Sequence, residues 1–201
     1  MNDPRVTECL LDWRNSRLLE AETIGSRILI SGRRRLWNPR RIKPDTVVVH
    51  YISAVNIDPR LPFDEDLILK IFCDLGVSSH YLVGRDGAVL RLVPENCKAW
   101  HCGGSVMPSP DNRRMVNDFS IGIELAATAE SGFTDEQYET LRILAAGLEE
   151  RYGSLAWCGH EDIAGTRAVE LGLRTAAKTD PGPLFDWGRI GRRKSGAINT
   201  V

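Results

Sequence analysis

The chain has no CxxC pair: its five cysteines, Cys9, Cys73, Cys97, Cys102 and Cys158, are odd in number and scattered. That excludes the usual cysteine-built zinc sites and fits free thiols in a reducing compartment better than a disulfide framework. No window holds the eighteen or so consecutive apolar residues that a membrane-spanning helix needs. Residues 1–22 mix acids with arginines and show no basic patch, apolar run and small-residue cleavage site in succession. No secretory signal is therefore expected, and the predicted setting is cytoplasmic unless the chain leaves by another route. A dominant charge sign is missing too. The formal net charge is −1, so nothing global points to a nucleic-acid partner. Internal repeats, low-complexity tracts and Gly/Ser linkers are likewise missing, which leaves one domain with short appendages.

What is present is ordinary for a folded protein. Hydrophobic residues make up 42% and charged residues 26%, enough to build a core and to argue against disorder. Two local basic runs, Arg33, Arg34, Arg35, Arg40, Arg41, Lys43 and later Arg189, Arg192, Arg193, Lys194, read as solvated surface. The spacing predicts a short helix over about 7–22, a strand over 26–31 and a Pro-containing loop through the first basic run. Residues 46–51 (TVVVHY) are β-branched and apolar on both faces, as befits a central strand. Asp64 is a good N-cap for an amphipathic helix that Gly76 stops. Apolar runs at 80–84 and 88–93 flank Asp86-Gly87 and predict a hairpin. Residues 120–126 read as a further strand. Thr134 and Gln137 form a capping box for a long helix ended by Gly153, followed by a strand at about 155–158 and a short helix near 166–171. The fold class expected is α/β (α+β), with a mixed central sheet flanked by helices.

Four histidines carry the chemistry, since neutral imidazole is both a common metal ligand and an acid/base group. His50 ends a buried strand, and His160 follows another; strand ends converge at one edge of a sheet. A catalytic zinc takes three protein ligands and keeps a fourth position for water. His50, His160 and a loop carboxylate meet that need, and Asp180, ahead of Pro181-Gly182-Pro183, is the best-placed one. On spacing alone each histidine reads as a satisfied structural residue rather than a ligand, because no local zinc signature is present.

Several motifs stand in a telling order: 49–51 (VHY), 79–83 (SHYLV) with Asp86-Gly87, 99–103 (AWHCG), 120–125 (SIGIEL), 133–138 (FTDEQY), 159–164 (GHEDIA) and 178–183 (KTDPGP), closing on 185–187 (FDW). In this order they resemble the N-acetylmuramoyl-L-alanine amidases that share a fold with peptidoglycan recognition proteins and phage amidase lysins. The resemblance runs from about Thr46 to Trp187. It implies Zn2+ as cofactor, held by His50, His160 and Asp180. It implies that Glu124 handles the proton of the attacking water and that Lys178 meets the developing oxyanion. The reaction implied is hydrolysis of the amide between the muramic acid lactyl group and L-alanine. The substrate is then peptidoglycan or a muropeptide, cut by a recycling enzyme of the cytoplasm or by a lysin released to act on murein in the periplasm.

The resemblance divides the chain into an N-terminal extension (1–45) packed on the domain, a catalytic domain (46–190) and a basic tail (191–201), with a monomer favoured. Trp100, His101 and Tyr51 are the candidate substrate-binding residues, although His101 reads equally as structural and a strand-end tyrosine such as Tyr51 is usually packing. His80 is expected in the core. Glu161 and Asp162 are expected to cap or orient the loop around His160. The connection 165–177 is longer than in many relatives; Asp180 keeps its place if this segment loops outward, where it can form a wall of the cleft. The rival reading is a peptidoglycan-binding or regulatory module without catalysis, which loss of a ligand or of Glu124 would have favoured. A zinc peptidase cutting inside the stem peptide is a third.

Overall fold

The computed structural model describes residues 6–9, 36–192 and 194. The expected strand at 26–31 and most of the expected N-terminal helix lie outside them. The strands are β1 (Val6–Glu8), β2 (Trp37–Pro39), β3 (Thr46–Ile52), β4 (Tyr81–Val83), β5 (Val89–Arg91), β6 (Cys97–Ala99), β7 (Ser120–Ala126) and β8 (Ala156–Gly159). The helices are α1 (Glu65–Leu75), α2 (Asp135–Tyr152), α3 (His160–Ala164) and α4 (Thr166–Glu170). Six strands form one sheet in the order β1-β5-β4-β7-β3-β8, and β2 pairs with β6 in a separate two-stranded ribbon. β3 runs parallel to both β7 and β8, and β4 parallel to β7, while β4 and β5 make the antiparallel hairpin, so the sheet is mixed.

Local chemistry explains the main elements. Asp64 accepts from the Leu67 N–H at the start of α1, and Gly76 ends it in the left-handed conformation. Thr134 and Gln137 exchange both hydrogen bonds of the capping box at the start of α2. Gln137 is itself buried, and its amide donates to the carbonyls of Val83 and Ala126, which ties α2 to β4 and β7. Along β3 and β7 the alternation sends Val47, Val49, Ile121, Ile123 and Leu125 into one core shared with Tyr138, Leu141 and Leu148 of α2. The opposite face carries Val48, His50, Gly122 and Glu124. That face is not covered by the long helix, and it is where polar side chains gather.

Two expectations fail at the N-terminal side. Thr7 and Glu8 are not helical: with Val6 they pair parallel to Val89–Arg91 and add an edge strand. The stretch around Pro39 is not loop throughout, because Trp37–Pro39 pairs antiparallel with Cys97–Ala99. Both strands are three residues long and exist only through a distant partner, which no local pattern announces. Residues 160–164, expected as a loop, form α3, capped when Asp162 accepts from the Gly159 N–H at 2.7 Å.

Candidate metal centre

The register of the central strands sets the site. His50 on β3 lies directly opposite Glu124 on β7, so both side chains project from the same face. His160 opens α3 at the exit of β8, the other neighbour of β3. Asp180 arrives from the C-terminal segment, where its carbonyl accepts the Glu161 N–H at 2.8 Å. One carboxylate oxygen, Asp180 Oδ2, is then 3.1 Å from His50 Nδ1 and 3.1 Å from His160 Nδ1. The structure thus brings together three residues separated widely along the chain.

The donor set fits a cation. His160 Nε2 lies 3.2 Å from the Cys102 carbonyl, which can only accept, so that nitrogen carries the proton. The Nδ1 of a neutral His160 therefore turns a lone pair toward the Asp180 carboxylate, and only a positive species between them makes that arrangement favourable. Donor separations of 3.1 Å are close to the roughly 3.3 Å edge of a tetrahedron whose ligands sit about 2 Å from a common ion. Electrostatics agree. Burial, then the neighbouring His160, brings His50 down to about 4, so it is neutral at pH 7, the form that a metal site requires. Burial opposes the charge of Asp180, but its contacts with His160 and then His50 outweigh it and hold the carboxyl well below its usual range.

Glu124 is 8% exposed, and its buried Oε2 has no hydrogen-bond partner among the described residues. Burial first, then the charge of Asp180, pushes its carboxyl well above the usual range, while Lys178 pulls the other way. A carboxyl with an unused oxygen beside a cation site is equipped to accept and return a proton. Lys178 is exposed, and its backbone N–H donates to Ala164 O at 2.9 Å. Residues 164 and 178 are therefore hydrogen-bonded to each other, and the segment 165–177 between them is an excursion pinned at its base. Asp180 follows this base by two residues and reaches both imidazoles. The excursion does not point freely outward: the Leu173 carbonyl packs so closely on Gly104 that a Cβ there would sit 1.9 Å from its oxygen.

The three residues expected to touch substrate are placed differently from one another. Tyr51 is half-buried and hydrogen-bonds to Thr179, beside Asp180; burial and then Asp180 raise its hydroxyl. Trp100 packs partly against the core under α1 and is held by its backbone, which exchanges hydrogen bonds with Ser78. His101 is only 8% exposed and lies behind His50, with His50 Nε2 3.0 Å from its Nδ1. This position turns its ring to protein rather than to an open cleft. His80 is a core residue: its Nδ1 accepts the Gly122 N–H, and its Nε2 donates to Cys97 O. Cys102, with His50 and His101, makes a second trio of possible ligands. Burial raises the Cys102 thiol well above its usual value, so it stays protonated and is a poor donor to a metal.

Sequence reasoning passed over Asn117, whose side-chain oxygen accepts from the backbone of both His101 and Cys102 and so fixes their loop. It also passed over Gly122 as a site residue. A Cβ at that position would sit 2.6 Å from the His101 ring, so only glycine leaves room for it in the middle of β7. The signal was a glycine inside a strand pattern, which marks a close approach.

Comparison with known proteins agrees with this geometry. A family model described as N-acetylmuramoyl-L-alanine amidase matches residues 40–183. The chain is 38% identical over 169 residues to the 1,6-anhydro-N-acetylmuramyl-L-alanine amidase AmpD of Enterobacter cloacae, covering 76% of this chain and 81% of that protein. It is 40% identical over 165 residues to AmpD of Escherichia coli, covering 73% and 80%. Among solved structures, a selenomethionine derivative of AmpD superposes with a TM-score of 0.59 at 34% identity, covering 77% of this chain and 88% of the other. The E. coli amidase AmiD in complex with anhydro-N-acetylmuramic acid-L-Ala-D-γ-Glu-L-Lys superposes with a TM-score of 0.56 at 32% identity, covering 75% and 56%. With the strand-end donors and the matched segment in agreement, the chain belongs to the N-acetylmuramoyl-L-alanine amidase family.

Proposed function

We propose that this amidase binds zinc through His50, His160 and Asp180 and hydrolyses the amide between the lactyl group of anhydro-muramic acid and L-alanine in soluble muropeptides. The single observation that carries the reading is the convergence of two imidazole Nδ1 atoms on one part-buried carboxylate oxygen, with Glu124 and its unused Oε2 on the neighbouring strand. Two nitrogens and one oxygen are the donor set of a hydrolytic zinc site that retains an open position. When bound, such an ion supplies Lewis acidity and makes water nucleophilic at neutral pH.

The chain's own residues do the rest. Glu124 takes the proton of the attacking water and returns it to the leaving amine of L-alanine, acting first as base and then as acid. Its raised affinity for a proton suits both halves of that task. Lys178 supplies positive charge to the oxyanion that develops on the lactyl oxygen, on a segment fixed by its backbone bond to Ala164. Tyr51 and Trp100 are proposed to line the substrate cleft. No covalent enzyme intermediate is required, so the buried cysteines stay outside the chemistry. None of the described helices is long and apolar enough to cross a membrane. A chain that works on soluble fragments in the cytoplasm, as a monomer, accords with this reading.

The anhydro-muropeptide is preferred over intact murein because the AmpD relatives are named for the anhydro substrate. Purified protein would be incubated with intact sacculi and with soluble anhydro-muropeptide, each with and without a chelator, and products read by mass. The expected result is release of the intact stem peptide from the soluble substrate, abolished by chelator and restored by zinc. Cleavage inside the stem peptide, or undiminished turnover in chelator, would overturn the proposal.

A further inference from the structure

His50 can serve an ion at Nδ1 only if its proton resides on Nε2, and what lies behind the ring decides that. A neutral imidazole carries one proton, and the partner of one nitrogen selects the role of the other. His50 Nε2 is 3.0 Å from His101 Nδ1, and His101 Nε2 is 3.3 Å from Ser120 Oγ. The Cys102 thiol, a weak donor, also lies 3.2 Å from His101 Nδ1. A thiol facing Nδ1 favours that nitrogen as an acceptor, which leaves the His101 proton on Nε2, where the Ser120 hydroxyl takes it. The chain of bonds then runs in one direction, from His50 Nε2–H to His101 Nδ1 and from His101 Nε2–H to Ser120.

The surroundings hold His101 in this attitude from three sides. Asn117 accepts from the His101 backbone N–H at 3.1 Å, which sets the loop. Gly122, without a side chain, lets the ring lie flush on β7. The His50 and His101 rings meet edge to face, centroids 5.1 Å apart. Both nitrogens of His101 thus have protein partners, and an orientation with Nδ1 elsewhere would strip His50 Nε2 of this hydrogen bond.

We propose that His101 is a positioning residue for the metal centre: its Nδ1 accepts the His50 Nε2 proton and thereby commits His50 Nδ1 to the ion. This rests on the metal reading above and deepens it. Acceptors behind a ligating histidine fix its tautomer and orientation, and their loss typically weakens metal binding about 10- to 100-fold.

Three variants separate the acceptor from the ring. His101→Phe keeps a ring under Gly122 and removes the acceptor. His101→Asn places an amide oxygen near the position of Nδ1. His101→Gln carries the same amide one methylene further, near the position of Nε2. Zinc affinity would be measured by competition with a chromophoric chelator, and the His50 tautomer by 15N NMR of histidine-labelled, zinc-loaded protein. The expected result is zinc binding about 10- to 100-fold weaker in His101→Phe and His101→Gln, with most of the affinity kept in His101→Asn and the wild-type His50 proton found on Nε2. If His101→Phe does not fold, the Asn and Gln pair carries the test. Equal zinc affinity in all four proteins, an Asn variant as weak as the Gln variant, or a His50 proton on Nδ1 would overturn the inference while leaving the ligand set standing. Failure of the wild type to bind zinc would overturn the metal reading itself.

Discussion

Gly122→Ala is a one-methyl perturbation whose cost can be worked from the coordinates. Gly122 sits at the centre of β7, paired with Val48 on β3, and its backbone N–H is bonded to the His80 ring. An added Cβ would lie 2.6 Å from Cγ and Nδ1 of His101 and 2.8 Å from Cδ2. Carbon atoms in contact prefer about 3.5–4.0 Å, so the overlap is on the order of 1 Å. It cannot be relieved by a rotamer change in alanine. Either β7 must move, against β3 and β4 on its two sides, or the His101 ring must leave His50. Overpacking of this kind costs about 1–3 kcal/mol. In a domain of this size that is a fall in Tm of about 2–4 °C for each kcal/mol. The backbone at this position is not in the left-handed region, so alanine adds no φ strain, and the freedom that glycine's replacement removes from the unfolded chain offsets only about 0.4–1 kcal/mol of the steric cost. Thermal and urea unfolding of the zinc-free and zinc-loaded variant would be compared with wild type. The expected outcome is a loss in both states, with the larger loss in the zinc-loaded one because the His101 contact behind a ligand is displaced. A variant as stable as wild type in both would refute the packing argument.

Further expectations follow from the same geometry. Glu124→Gln keeps the volume but removes the proton acceptor; turnover should fall about 10²- to 10⁴-fold while zinc content stays at one per chain, and a variant that keeps near wild-type turnover would remove Glu124 from the proton path. Asp180→Asn leaves two imidazoles facing a weaker donor, so zinc should be lost on dialysis, as read by metal analysis; retention of full zinc would contradict the assigned ligand set. Gly104→Ala would set a methyl 1.9 Å from the Leu173 carbonyl, so the 165–177 excursion should shift. Its effect is expected mainly in KM for muropeptide, and an unchanged KM would argue that this segment does not border the cleft. Acid stability should depend on His80, which burial and then the Arg40 charge bring to about 3, against 6.5 in the unfolded chain. The unfolded chain then binds the proton more readily, so this contribution is complete above pH 6.5 and is lost as pH falls toward 3, with a ceiling of about 5 kcal/mol. Urea midpoints of zinc-free protein across that range should fall more steeply for wild type than for His80→Asn, and equal slopes would dismiss the assignment.

The sequence by itself determined the elements whose signals are local. The capping box of Thr134 and Gln137, the Asp64 cap with its Gly76 stop, and the β-branched run of β3 each specify their structure within a few residues. Motif order likewise made the family legible and marked five candidate residues, whose identities are written in the chain even though their meeting is not. Only the tertiary structure decided the rest. β1 and β2 are strands solely because Val89–Arg91 and Cys97–Ala99 offer partners far along the chain. The in-register pairing of β3 with β7 places Glu124 beside His50, and the bond between residues 164 and 178 absorbs the long excursion before Asp180. The position of His101 behind His50 is likewise a product of packing, made possible by the missing side chain at Gly122. Local propensity acts over one turn or one strand, whereas donor convergence and tautomer choice depend on contacts between residues tens of positions apart, fixed only when the sheet closes.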